Sequence, residues 1–189
     1  MDADQKRAQE AMRAFLIALG QEGSDLEATA ERVTSAYLDE LLVGYSIDIP
    51  KLLSDGSEAV PEGSSDPVVV DGIETATVCP HHLLVAQGSA LVAYVPGTRL
   101  LGLGTIARLV DACSRRFTLQ EEIAGSVTQA LMEHAHAQGA FCRIVLDHAC
   151  LRTRGALQTK ARTITFKGVG SLKDVSQLEF VLGRKISQI

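Results

Sequence analysis

The sequence predicts an α+β fold: a helical arm first, then hairpin-like strand pairs with helices layered on one face. Three observations predict it. Apolar residues recur at helical spacing through residues 3–19 and 25–43. From Val68 the pattern changes to short runs rich in β-branched and small apolar residues. Those runs come as two pairs with two helical stretches between them, an order that suits an antiparallel sheet covered on one side.

Taken in order, the first helix presents Ala8, Ala11, Met12, Phe15, Leu16 and Leu19, and Gly20 and Gly23 end it. The second places Leu26, Val33, Ala36, Tyr37, Leu41 and Leu42 on one side and stops at Gly44. SDGSEAVPEGSSDP, residues 54–67, is rich in Ser, Gly, Pro and acids and reads as a loop. It divides the chain into an arm (1–53), a linker (54–67) and a second unit (68–189). VVVDGIETATV (68–78) and SALVAYVPG (89–97) are the first strand pair. Thr105–Arg116 and Leu119–Ala137 are the helices, with Thr118 as the expected cap of the second. AFCRIVLDHACLRTRG (140–155) and LQTKARTITFKG (157–168) are the second strand pair, and a tail helix is expected over Leu172–Leu182.

Composition narrows the function classes. The chain is 46% hydrophobic and 22% charged, an ordinary globular balance. A formal net charge of -5 disfavours generic binding to nucleic acid or to an anionic membrane, so a bound anion would need a local cationic pocket. No apolar run approaches the roughly 18 residues of a membrane helix, and the charged N-terminus has no signal core. The expectation is a cytoplasmic protein. There four cysteines are read as ligands or core residues rather than disulfides. Cys113 and Cys142 lie in apolar runs and read as core.

CPHHLL, residues 79–84, follows a strand and spaces Cys79 and His82 as Cys-x-x-His. Alone, that spacing fits a metal site, a thiol–imidazole nucleophile or a polar turn. A second cluster, DHAC, places His148 and Cys150 two residues apart, on one face if the strand continues through them. Two Cys/His clusters at strand ends favour metal. Cys79, His82 and Cys150 would form a Cys₂His set with an open fourth position, leaving His81 and His148 as proton carriers.

CPHHLL, AYVPG, GLGTIARLV, LQEEIAGSVTQAL, DHACLRTRG and TITFKG together resemble the GTP cyclohydrolase I family. The resemblance is ungapped from Cys79 to about Leu103 and looser from about Thr29 to Gly168. It implies the tunnelling fold, a four-stranded antiparallel sheet with two helices on one face. Copies of that unit assemble into a barrel and a ring, a decamer being the size considered, with active sites at subunit interfaces. It implies zinc on Cys79, His82 and Cys150, activating water for attack on C8 of GTP. Formate leaves, and a dihydropterin forms for pterin and tetrahydrofolate biosynthesis. His81 and His148 match the family's proton-carrying positions. Glu121 matches the carboxylate that accepts from guanine N1–H and N2–H₂, with Gln120 beside it and the backbone of Leu101–Leu103 bordering the base; a helix N-terminal acid is the plainer alternative for Glu121. Arg154, Arg108 and Arg32 match phosphate contacts, the last reaching in from a neighbouring subunit.

The chain departs from the family at four places. Pro80 replaces an acidic residue. Gly104 and Thr105 stand where the family has a serine and a lysine, and Ser35 where the arm supplies a second lysine. Lys160 and Arg162, expected on the following strand, are candidate replacements. Two other functions therefore stay open beside GTP cyclohydrolase: a related hydrolase of a less phosphorylated purine nucleotide or pterin, and a silent ring-forming protein that only binds purine or pterin.

Overall fold

The computed structural model describes residues 4–21, 23–61 and 66–174. Helix α1 (Gln5–Ala18) starts at Asp4, whose carboxylate accepts the Arg7 amide at 2.9 Å. Helix α2 (Ser24–Ser35) continues into a π-helical turn (Ala36–Leu41) and a 3₁₀ turn (Val43–Ser46). Helix α3 (Ile49–Asp55) was not anticipated, although its signals are present: Asp48 caps it through the Lys51 amide, and Pro50 stands in its first turn. The stretch expected to be loop also carries strand β1 (Ser57–Ala59), which pairs with β4 (Arg99–Leu101).

The main sheet has the order β2–β3–β5–β6, all antiparallel. Its strands are β2 (Val68–Val78), β3 (Val85–Val95), β5 (Gly139–His148) and β6 (Thr163–Gly170). Helices α4 (Leu103–Ser114) and α5 (Gln120–His134) cover one face. Alternation decides which side chains go there. Ala90, Val92 and Tyr94 of β3 and Ala140, Cys142, Ile144 and Leu146 of β5 meet Ile106, Leu109, Val110, Ile123, Val127 and Leu131 of the helices. Each fully buried Leu, Ile or Val there contributes about 1.5–3 kcal/mol of transfer free energy. The opposite face holds a small cluster of Leu91, Ala93, Phe141 and Leu172, while Ile164 and Phe166 on β6 stay more than half exposed.

Two expectations need correction besides the loop. Thr118 does not cap α5: Leu119 is the cap residue, and the Thr118 hydroxyl lies 3.2 Å from Glu122 Oε2 instead. The second strand pair is shorter than expected, because β5 ends at His148 and a helical turn, α6 (Ala149–Arg152), follows. Lys160 and Arg162 precede β6 and are exposed loop residues. The expected tail helix lies mostly outside the described residues.

The start of α4 is tied down from three sides. The buried Tyr94 hydroxyl accepts the Leu101 amide at 2.8 Å. The Gly56 carbonyl accepts from the Gly102 amide at 3.0 Å and from the Thr105 hydroxyl at 3.2 Å. Gly56 has to be glycine at this contact, since a Cβ there would sit 2.1 Å from the Thr105 Oγ1.

Candidate active site

Strand β3 is paired on one side with β2 and on the other with β5, both antiparallel. The two outer strands therefore run the same way and finish at the same edge of the sheet. Val78 pairs with Val85, and His148 with Ala86. This register brings residues 79 and 148–150 to neighbouring points although they are far apart in sequence. The end of β2 is held further by the Arg116 carbonyl, which accepts the Val78 amide at 3.3 Å and the Thr77 hydroxyl at 3.2 Å.

CPHHLL folds as a closed loop. The Cys79 carbonyl accepts from the Leu83 amide at 2.9 Å and the His82 amide at 3.4 Å, and the Cys79 amide donates to the Leu84 carbonyl at 3.0 Å. Pro80 suits this turn, because its fixed φ fits the position after the first residue of a tight turn.

The loop aims His82 at Cys79, with Nδ1 and Sγ 3.7 Å apart. Cys150 joins them, and one donor atom from each of the three lies within 4.8 Å of the others. The route differs from the one expected. His148 and Cys150 do not share a strand face; the turn of α6 swings Cys150 toward Cys79, while His148 keeps the helix-facing direction of Ile144 and Leu146. Burial, followed by the neighbouring Cys79 sulfur, pushes the Cys150 thiol above its ordinary range, and nearby Arg154 opposes the rise. This donor set suits zinc. Tetrahedral bonds of about 2.3 Å to sulfur and 2.0–2.1 Å to nitrogen separate ligand atoms by roughly 3.5–3.8 Å. All four cysteines are free thiols.

His148 is held by a residue whose part the sequence did not reveal. Gln120 is 2% exposed. Its amide nitrogen donates to the carbonyls of Ile144 (3.1 Å) and Thr163 (2.9 Å), which fixes the orientation of the amide. Its oxygen must then face His148 Nε2, 2.7 Å away. An amide oxygen only accepts, so neutral His148 carries its proton on Nε2 and leaves Nδ1 with the lone pair. A signal for this was available. Gln120 shares the i, i+3, i+4, i+7 stripe of Ile123, Ala124 and Val127, and a polar residue on a buried stripe needs partners.

The other candidates are more dispersed. His81 is exposed, edge-on to His82 with ring centroids 6.1 Å apart. Glu121 is exposed and makes no hydrogen bond or ion pair among the described residues. Leu103 is 65% exposed at the start of α4. Arg154 is exposed in the segment after α6, and Arg32 is exposed on α2. Arg108 lines a separate cavity of about 700 Å³ together with Lys51, Thr105 and three aspartates, Asp48, Asp55 and Asp111.

A model of the GTP cyclohydrolase I family matches residues 8–184. The chain belongs to that family. GTP cyclohydrolase 1 of Ralstonia nicotianae is 40% identical over 149 residues, covering 79% of this chain and 70% of the relative. GTP cyclohydrolase 1 of Streptomyces coelicolor is 34% identical over 177 residues, covering 92% and 86%. Among solved structures, the archaeosine synthase QueF-Like in its apo form aligns over 57% of this chain and 97% of that one, at 17% identity and a TM-score of 0.45. The match over residues 8–184 bears out the family resemblance read from CPHHLL, the QE pair and DHACLRTRG, and the α+β order expected from the sequence is the one the chain's own helices and antiparallel sheet show.

Proposed function

We propose that this chain opens the imidazole ring of the guanine in GTP and yields 7,8-dihydroneopterin triphosphate and formate. The convergence of Cys79, His82 and Cys150 beside an oriented His148 carries the reading. Family membership over residues 8–184 supports it.

Chemically, opening the ring and releasing formate each consume one water, and closing the new ring expels one. The residues for zinc are Cys79, His82 and Cys150; when bound, zinc supplies Lewis acidity that makes a water molecule ionisable near neutral pH. Protons must then move to and from ring nitrogens and ribose oxygens. His148 offers Nδ1 as the acceptor, because Gln120 keeps the proton on Nε2. His81, exposed beside His82, is the second carrier. In this reading Gln120 is a positioning residue rather than a base contact, since its side chain is fully engaged by Ile144, Thr163 and His148. Glu121, one position on and without a hydrogen-bond or ion-pair partner among the described residues, is the carboxylate left to accept from guanine's adjacent N–H donors, with Leu103 at the border of the base. Arg154, Arg108 and Arg32 are the proposed phosphate contacts, Arg108 from the separate cavity it shares with Lys51 and three aspartates.

We further propose that the arm (1–53) and linker (54–67) serve the catalytic unit (68–189). Leu53 and β1 already pack onto that unit. Copies assemble into a ring, with a decamer as the proposed size and active sites between subunits; the exposed apolar pair Ile164 and Phe166 on β6 supports such assembly. A cytoplasmic location would keep the thiols reduced and available as ligands.

One observation favours a second reading, a less phosphorylated purine nucleotide. The positions that lack the family's lysines are occupied in other ways: the Thr105 hydroxyl is spent on Gly56, and Ser35 lies 3.4 Å from the Gln5 amide. The test is to supply zinc-loaded protein with GTP, GMP and guanosine separately and to measure formate and pterin fluorescence. Turnover with GTP well above GMP is expected. Turnover of GMP but not GTP would establish the second reading, and binding without product would establish a silent binding protein.

A further inference from the structure

The metal loop contains a strained residue that the loop ties down only through its amide, which donates to the Cys79 carbonyl, while its carbonyl is left to an outside partner. Leu83 has φ +55, in the left-handed region that a γ-branched side chain enters at a cost. Its side chain is 54% exposed, so burial in the core does not impose this conformation. The loop's own hydrogen bonds use the carbonyls of Cys79 and Leu84. The Leu83 carbonyl is held from outside, by the hydroxyl of Tyr37 at 2.5 Å.

Tyr37 is placed for this by the arm. It sits in the π-helical turn that continues α2, where the Leu42 amide reaches back five residues to the Tyr37 carbonyl at 2.9 Å. Single π turns are rare and occur frequently at functional sites. The Tyr37 ring rests against Phe117, with centroids 6.3 Å apart, so its hydroxyl is aimed by packing. Met12, Phe15, Leu38, Leu83 and Phe117 line an apolar groove of about 470 Å³ around it.

Resting on the reading of Cys79, His82 and Cys150 as zinc ligands, we propose that Tyr37 is a positioning residue for the metal loop. It clamps the Leu83 carbonyl, holds the left-handed turn and so keeps His82 aimed at Cys79 and Cys150. The helical arm thereby sets the zinc affinity of the sheet edge. Outer partners that orient ligands typically change metal affinity by about 10- to 100-fold. Tyr37 acts one step further out, through a backbone carbonyl, and about tenfold is expected.

The test measures zinc affinity by chelator competition on the full chain, together with the cobalt-substituted absorption spectrum. Tyr37→Phe keeps the ring and its contact with Phe117 and removes only the hydroxyl. It is expected to bind zinc about tenfold more weakly, with the melting temperature of the metal-free protein unchanged. Asparagine enters the left-handed region more readily than leucine, so Leu83→Asn added to Tyr37→Phe is expected to recover most of the loss. Zinc affinity of Tyr37→Phe within twofold of wild type would overturn the proposal, as would a loss that Leu83→Asn does not recover. Failure of the ligand assignment looks different: Cys150→Ser would then bind zinc as tightly as wild type.

Discussion

Replacing Gln120 by methionine, of similar length but unable to hydrogen bond, tests the local architecture most sharply. The substitution removes two donations to strand carbonyls and the acceptor that faces His148. Each bond is worth about 0.5–1.5 kcal/mol net, and a buried group left without a partner costs about 1–3 kcal/mol. The carbonyls belong to strands with other bonds, so we take the lower part of these ranges and expect a loss of about 3 kcal/mol. For a chain of this size that lowers the thermal midpoint by roughly 6–12 °C. The catalytic effect is separate. Without Gln120 the His148 ring can turn or change tautomer, and a positioned acid–base group contributes about 10²- to 10⁴-fold in rate. The assay pairs thermal unfolding at fixed zinc with steady-state formate release. The expected result is a large fall in kcat with KM for GTP changed less than threefold. A midpoint within 2 °C of wild type, or a rise in KM at constant kcat, would refute the reasoning. The latter would return Gln120 to the role of a base-reading residue.

Cys150→Ser is expected to lose zinc and formate release together while retaining its secondary structure by circular dichroism; surviving activity would mean the ligand set is wrong. Thr105→Lys is expected to tighten GTP binding by about tenfold relative to GMP, since a charge-assisted contact is worth about 1.5–3 kcal/mol and the Gly56 bond is lost in exchange; isothermal titration with both nucleotides checks it. Burial pushes the Cys113 thiol up to about 11, against an ordinary value of 9.0. Between those values the folded state holds a proton that the unfolded state releases, so stability present below about pH 9 is lost as pH rises toward 11, by up to roughly 2–3 kcal/mol. Cys113→Ala should flatten that decline in urea titrations at pH 8.5 and 10.5, and an equal slope would contradict it.

What the sequence made legible follows from local pattern. Strand β2 was delimited as Val68–Val78 because its β-branched run stops at a Cys-Pro turn. The meeting of Cys79 with Cys150 was legible only as two clusters at strand ends; the register that joins them depends on β3 lying between β2 and β5. Strands β1 and β4 were missed because three residues carry no period, and Ser57 is strand only by pairing with Leu101. The α6 turn was missed because no Gly or Pro separates DHAC from the strand before it, and four residues carry no helical period. Helix α3 was missed despite Asp48 and Pro50, because it is seven residues long and Gly56 begins a loop-like composition. The part of Tyr37 rests on a hydrogen bond to a residue 46 positions away, which no local pattern encodes; the buried stripe shows that Gln120 needs partners but not that they are Ile144, Thr163 and His148.

X-ray absorption at the zinc edge of the purified, metal-loaded protein tests the central claim most directly. Two sulfur neighbours at about 2.3 Å with one imidazole nitrogen and one further light atom at about 2.0–2.1 Å are expected. A shell without sulfur, or with a single sulfur, would show that the edge of the sheet where β2 and β5 end does not hold the ion.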